Sequence, residues 1–140
     1  LKLIKNRETK FTLSIVGMNK KNQNNINQNN VNVIDIINKS DLIIKIYDAH
    51  NIFILPSFTE AHPQVVDESL ARGRPVIIFE EITHIIQNRQ GIFISKRNVK
   101  SLSETIEFVM KNYLSIQESM SNNKLPTRQK FISQMTNILS

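Results

Sequence analysis

Two carboxylates, Glu60 and Glu68, stand eight residues apart around the segment Leu55-Pro56-Ser57-Phe58-Thr59-Glu60-Ala61-His62-Pro63. The segment follows the apolar run Asn51-Ile52-Phe53-Ile54-Leu55 and precedes Val65, Val66, Ser69 and Leu70, which share one side of a helix. A buried strand therefore runs through a loop into a helix whose first backbone N–H groups lack intrahelical partners, and whose dipole presents its positive end to that loop. Such a helix mouth favours an anion, above all a phosphate. From Pro63 to Glu68 the helix rises about 7.5 Å, so a phosphate at the mouth and a ribose at Glu68 fit a single nucleotide. A carboxylate accepts two ribose hydroxyls at once. By themselves, two carboxylates at this spacing are a common solvated surface feature. Any meaning they carry comes from the pattern around them.

The elements that must position them can be read along the chain. Phe11 to Val16 alternates and stops at Gly17, as a strand does on entering a tight turn, and Val31 to Ile34 forms a second short strand. Ser40 or Asp41 caps a short helix through Tyr47. The run 51–55 is a strand, and a helix starts with Pro63 at its first position and ends near Arg72, with Gly73 as a left-handed cap. Strands follow at 75–79 and 91–94, with one helical turn over 82–88 between them. Leu102, Ile106, Val109, Met110 and Tyr113 mark an amphipathic helix over 99–114, and Phe131, Ile132, Met135, Ile138 and Leu139 mark a last one over 127–139. Residues 1–10 read as the end of an amphipathic helix, and the Asn-rich stretch 19–30 as an exposed flexible loop. Strands alternating with helices predict an α/β fold, a Rossmann-like parallel sheet with helices on both faces, formed by residues 1–140 as one domain. Ligands of such sheets sit at the carboxyl ends of the strands, where the Pro56–Pro63 loop lies.

Composition narrows the chemistry. With 40% hydrophobic and 21% charged residues the chain has the balance of a globular domain. There is no cysteine, which removes disulfides, thiolate metal sites and a cysteine nucleophile. With three glycines in all, a Gly-rich phosphate loop is ruled out, and no Gly-x-Ser-x-Gly elbow marks a hydrolase. His50, His62 and His84 have no second ligand at metal spacing, so neither a metal nor a cofactor is expected. The net charge of +6 is spread along the chain and aromatics are few, so the basic residues read as a solvated surface and no nucleic-acid partner is expected. A phosphoacceptor or flavin-type domain would need an aspartate after the first strand, where Val16-Gly17 stands. No apolar run approaches the roughly 20 residues of a membrane span and no export signal is visible, which predicts a cytoplasmic protein.

The stretch PSFTEAHPQVVDESLARGRPVII resembles the signature of the glycosyl transferases group 1 enzymes, retaining glycosyltransferase family 4, in Pro56, Ser57, Glu60, Glu68, Ala71, Gly73, Pro75, Val76 and Ile77. Leu13 to Gly17 is similar to the family's early Leu-x-Ile-Val-Gly strand, and Gly91 to Ile94 to a later one; together the similarity spans about residues 5 to 112. The resemblance implies the C-terminal, donor-binding domain of a two-domain GT-B enzyme that transfers a sugar from a nucleotide donor such as a UDP-sugar, with retention, in glycan biosynthesis. It implies two partners: the nucleotide-sugar, and an N-terminal acceptor domain of the same parent protein, which is compatible with a peripheral membrane contact. On the same basis Glu68 would bind the ribose and Glu60 would stand by the donor sugar or diphosphate as the catalytic carboxylate. The backbone of His62, Pro63, Gln64, Val65 and Val66 would cradle sugar and phosphate, Gly17 would open the turn after the first strand, and Ile34 to Ile36 would meet the base. His62 would also be placed to donate to a phosphate oxygen.

The sequence departs from the family at several points. Ala61 replaces a glycine, Ser69 an alanine and Thr83-His84 a Pro-Glu pair, while Asn19 stands where a second glycine often follows. The family's upstream Arg and Lys belong to a first strand–helix unit that these residues lack. The chain alone is therefore expected to bind donor and transfer little, and a non-catalytic binding or interaction module of the same fold is the alternative.

Overall fold

The computed structural model describes residues 11–17, 29–37 and 40–127, together with 129, 133 and 136. Two expectations fall outside them: the helix end at 1–10 and the loop over 19–30, of which only Asn29 and Asn30, in a turn, are described. Of the helix expected over 127–139, Thr127 is not helical, while the three isolated residues 129, 133 and 136 are helical and exposed.

The chain divides into two compact units, Leu1–Ala49 and His50–Ser140. In the first, β1 (Leu13–Val16) and β2 (Val31–Ile34) pair in parallel and are followed by α1 (Ser40–Ala49). Their ladder runs from Leu13 opposite Val31 to Val16 opposite Ile34, and the Gly17 N–H closes it on the Ile34 carbonyl at 3.0 Å. Gly17 then turns at φ +84°, the left-handed region that a glycine enters without a Cβ clash.

The second unit contains β3 (Phe53–Leu55), α2 (Gln64–Ala71), β4 (Val76–Phe79), a 3-10 segment (Glu80–Ile85), β5 (Ile92–Ser95), α3 (Val99–Lys111) and α4 (Tyr113–Met120). Its three strands lie in the order β3-β4-β5, all parallel. Val76, Ile77, Ile78 and Phe79 are all buried although successive side chains point to opposite faces, so the middle strand is covered on both sides. Leu55, Val66, Leu70, Val76, Ile78, Ile82, Ile85, Val109, Ile116 and Met120 form one core that joins the sheet to α2, the 3-10 segment, α3 and α4.

The parallel α/β architecture expected from the alternation is present, with its strands paired as two sheets in two units. Pro63 is the residue before α2, with extended φ and ψ, one position earlier than expected. Gly73 supplies the left-handed turn after α2 at φ +67°; its N–H bonds Leu70 O at 2.9 Å and the next N–H, of Arg74, bonds Ser69 O at 2.9 Å. The 3-10 segment starts two residues earlier than the turn placed over 82–88. The helix expected over 99–114 ends at Lys111, and Tyr113 opens the next one; the apolar stripe of α3 is core at Val109 and half-buried at Leu102 and Ile106, but Met110, expected on the same face, is 40% exposed.

Helix α4 is an addition to the sequence-based expectation. Ile116 and Met120 carry it into the core, Gln117 Nε2 donates to the Gly73 carbonyl at 2.8 Å, and the Tyr113 hydroxyl donates to Asn51 O at 3.0 Å. Both bonds reach the loops that flank β3 and β4, so α4 braces the sheet end opposite the Pro56–Pro63 loop. At α3, Asn98 is the N-cap and its side-chain oxygen accepts from the Ser101 N–H at 2.9 Å. Replacing Asn98 with alanine removes that acceptor and should destabilise the unit by about 1 kcal/mol, read as a drop in the chemical-denaturation midpoint at unchanged slope. Among the described residues, no helix is long and apolar enough to cross a membrane.

Candidate functional site

The loop from Pro56 to Pro63 leaves the carboxyl end of the buried strand β3 and enters α2, so it occupies the ligand-bearing rim of this unit's parallel sheet. No residue from Pro56 to Glu60 is buried, and Phe58 is 69% exposed. Apolar packing cannot fix such a segment. Polar contacts do so instead. The Ser57 hydroxyl donates to the Glu60 carboxylate at 2.6 Å, and the Glu60 carbonyl accepts from His84 Nε2 at 2.7 Å. Because a carbonyl only accepts, His84 must carry its proton on Nε2. His84, which stands where the resembling family has another residue, is thus the tether between the 3-10 segment and the Glu60 loop.

A second tether comes from Arg97, in the loop after β5. Its Nε and Nη2 reach the two oxygens of Glu81 at 3.0 and 3.2 Å, while Nη1 and Nη2 donate to the carbonyls of Pro56 and Ser57 at 3.0 Å each. The guanidinium carbon also lies 3.8 Å from the centroid of Phe58 and 4.3 Å from that of Phe79, within cation–π range. One side chain therefore ties together the loops that follow β3, β4 and β5.

The Arg97 hydrogen bonds hold the Glu81 carboxyl below the usual carboxylate range; Glu81's own backbone N–H acts in the same direction, and slight desolvation opposes it. A lowered folded-state value means that this contact adds stability above the unfolded value and loses it as pH falls through the lowered one. In an NMR titration the Glu81 carboxyl should titrate below the ordinary range, and return to that range in Arg97→Gln.

Around α2 the sequence-predicted residues separate into two groups. Glu68 is exposed on the helix, one turn beyond Gln64, and Gln64 and Val65 are exposed at its start, whereas Val66 and Pro63 are buried. No side chain caps the N-terminus of α2, and the Val66 N–H bonds the Pro63 carbonyl at 3.1 Å, so what the mouth offers an anion is chiefly the positive end of the helix dipole. His62 leans toward the helix, with Nε2 3.0 Å from Asp67 Oδ2, which leaves Nδ1 as the ring atom a ligand could take. Asp67 also pairs with Nη1 of Arg89, and Arg89 Nη2 donates to the Ile85 carbonyl. Ser69, unusual as a hydroxyl in this position, is fully buried and satisfies itself by donating to Arg74 O at 3.1 Å.

In the first unit, Gly17 and Ile34 meet at the carboxyl end of the β1–β2 ladder, while Ile36 lies beyond the strand and is 72% exposed. Glu60 and Glu68 line neither of two shallow cavities in the second unit. One lies along Arg89–Phe93, α3 and α4; the other is bounded by Phe93, Ile94, Ser101, Glu104, Thr105 and Phe108. The rim presents accessible carboxylates on an open surface. Among the described residues, no three His, Asp or Glu side chains come together in a way that could hold a metal ion. Asp67, Arg89, Glu81 and Arg97 were absent from the sequence-predicted set; the Asp67–Arg89 and Glu81–Arg97 pairs and the Arg97–Pro56 bond span 16 to 41 positions along the chain, and no local motif announces them.

Sucrose-phosphate synthase from Thermosynechococcus elongatus has a similar fold, with a TM-score of 0.70 over 91% of this chain at 16% sequence identity. The chain spans 37% of that structure's length. No curated protein matches the chain. The family model described as "Glycosyl transferases group 1" matches residues 1–112, most of the elements above, with the Pro56–Pro63 loop and both glutamates inside the match. The chain belongs to the glycosyl transferases group 1 family.

Proposed function

We propose that this chain is the donor-binding, C-terminal part of a retaining GT-B glycosyltransferase that moves a sugar from a nucleoside diphosphate to an acceptor hydroxyl. The observation that carries the reading is the β3–α2 connection, where a tethered Glu60 and an exposed Glu68 flank a helix mouth without a side-chain cap. The diphosphate rests against the N–H groups at the start of α2, where the helix dipole and backbone donors are already oriented toward the charge that grows on the leaving group. Glu68 accepts the ribose hydroxyls, and Glu60 stands by the sugar. The acceptor, and most of the catalytic rate, come from a second domain of the parent protein, so this chain binds donor and transfers little.

The second reading, a binding module of the same fold without catalysis, is favoured by Ala61, whose methyl occupies the place of a glycine next to Glu60. Calorimetric titration with UDP, ADP and GDP separates the two. Saturable binding of one of them, weakened in Glu68→Gln, supports the transferase half, whereas no binding of any at millimolar concentration supports the module.

A further inference from the structure

Arg97 divides its contacts between a fixed base and an exposed loop: two hydrogen bonds to Glu81 and the ring of buried Phe79 on one side, two hydrogen bonds to the Pro56 and Ser57 carbonyls and the exposed ring of Phe58 on the other. The sheet does not require this: β3, β4 and β5 are already joined by their ladders and by a shared core. What the contacts do determine is where the Pro56 and Ser57 peptide groups sit. The Ser57 hydroxyl in turn holds the Glu60 carboxylate. The chain of contacts runs from Glu81 through Arg97 to Ser57 and ends on Glu60.

We infer that Arg97 is a positioning residue that sets the Glu60 carboxylate at the sugar end of the donor site, and so governs recognition of the sugar rather than of the nucleotide. The inference rests on the donor-binding reading above. Glu68 and the α2 mouth, which would hold the nucleoside diphosphate, receive none of the Arg97 bonds. A lysine keeps the charge but replaces the planar fork with a compact ammonium, which cannot bond Glu81 and two carbonyls in the same geometry.

The test compares wild type with Arg97→Lys in two measurements. In calorimetry with UDP, ADP and GDP and their glucose esters, the wild type should bind one ester more tightly than its diphosphate. Arg97→Lys should lose that increment, on the order of tenfold, while diphosphate affinity stays within about twofold. In hydrogen exchange without ligand, the amides of residues 57–62 should exchange on the order of tenfold faster in Arg97→Lys, and those of β4 at the wild-type rate. A full increment or unchanged loop exchange in the variant overturns the inference. So does faster exchange throughout β4, which would make Arg97 a residue of general stability. If wild type binds a diphosphate with no gain from its glucose, the inference fails and the nucleotide site stands. If it binds neither, the donor-binding reading falls and takes the inference with it.

Discussion

Replacing Asp67 with alanine should cost the second unit about 3 to 5 kcal/mol. Asp67 and Arg89 are 12% and 8% exposed, so both charges of the pair have left most of their water. Their mutual attraction largely offsets that desolvation, and an intact pair of this kind adds little net stability. Deleting one partner is a different matter. The Arg89 guanidinium would remain in place with the Ile85 and Ile86 carbonyls as acceptors and no counter-charge, and a cation that cannot lose its proton cannot relieve the penalty by neutralising. The double replacement Asp67→Ala with Arg89→Met should recover much of the loss, because an apolar side chain of similar reach fills the same space without a buried charge. Denaturant unfolding of the two single variants and the double variant measures this directly. Additive losses, with no recovery in the double variant, would mean that the pair is not coupled as its geometry implies.

The second large effect concerns binding. Glu68→Ala should weaken nucleotide affinity by about 1.5 to 3 kcal/mol, the usual value of a hydrogen bond to a charged acceptor, which corresponds to roughly ten- to a hundredfold in Kd. Glu68 is exposed on α2 and supports none of the core, so the same substitution should leave the unfolding midpoint close to that of wild type. The contrast between the neighbours is informative. Asp67 faces inward to Arg89, where its loss should be felt in stability, while Glu68, one residue and about 100° further around the helix, is exposed, and its loss should be felt in nucleotide binding.

Much of this arrangement was legible in the sequence because it is local. Among the described residues, the alternating or continuous apolar runs located all five strands, with β2 falling on Val31–Ile34 as read. Gly73 announced the end of α2 because only a residue without a Cβ enters its φ of +67° without strain. The apolar run before Pro56 and the helical pattern after Pro63 showed that the Glu60 loop follows the carboxyl end of a strand, as β3 and α2 do.

What was not legible depends on partners distant in sequence. Helix α4 escaped because its apolar stripe is thin: Ile116 and Met120 are buried, but Leu114, the most apolar residue near its start, is 81% exposed and breaks the period. Its stability comes from contacts with Gly73 and Asn51, which no window of eight residues contains. Arg97 looks like any surface arginine until the loops after β3 and β4 are brought beside it. Glu81 likewise gave no sign that it is half of a bidentate pair. The division of the strands between two sheets is also invisible to periodicity, which reports that a segment is a strand and not which strand it joins.

The most direct measurement is a calorimetric titration of the chain and of its Glu68→Gln variant with UDP, ADP and GDP under identical conditions. The expected result is saturable, one-to-one binding of a single diphosphate by wild type and a loss of at least about tenfold in the variant, with both proteins unfolding at the same denaturant concentration. Equal affinities in the two proteins would contradict the ribose contact assigned to Glu68, and with it a nucleotide-sugar site at the mouth of α2.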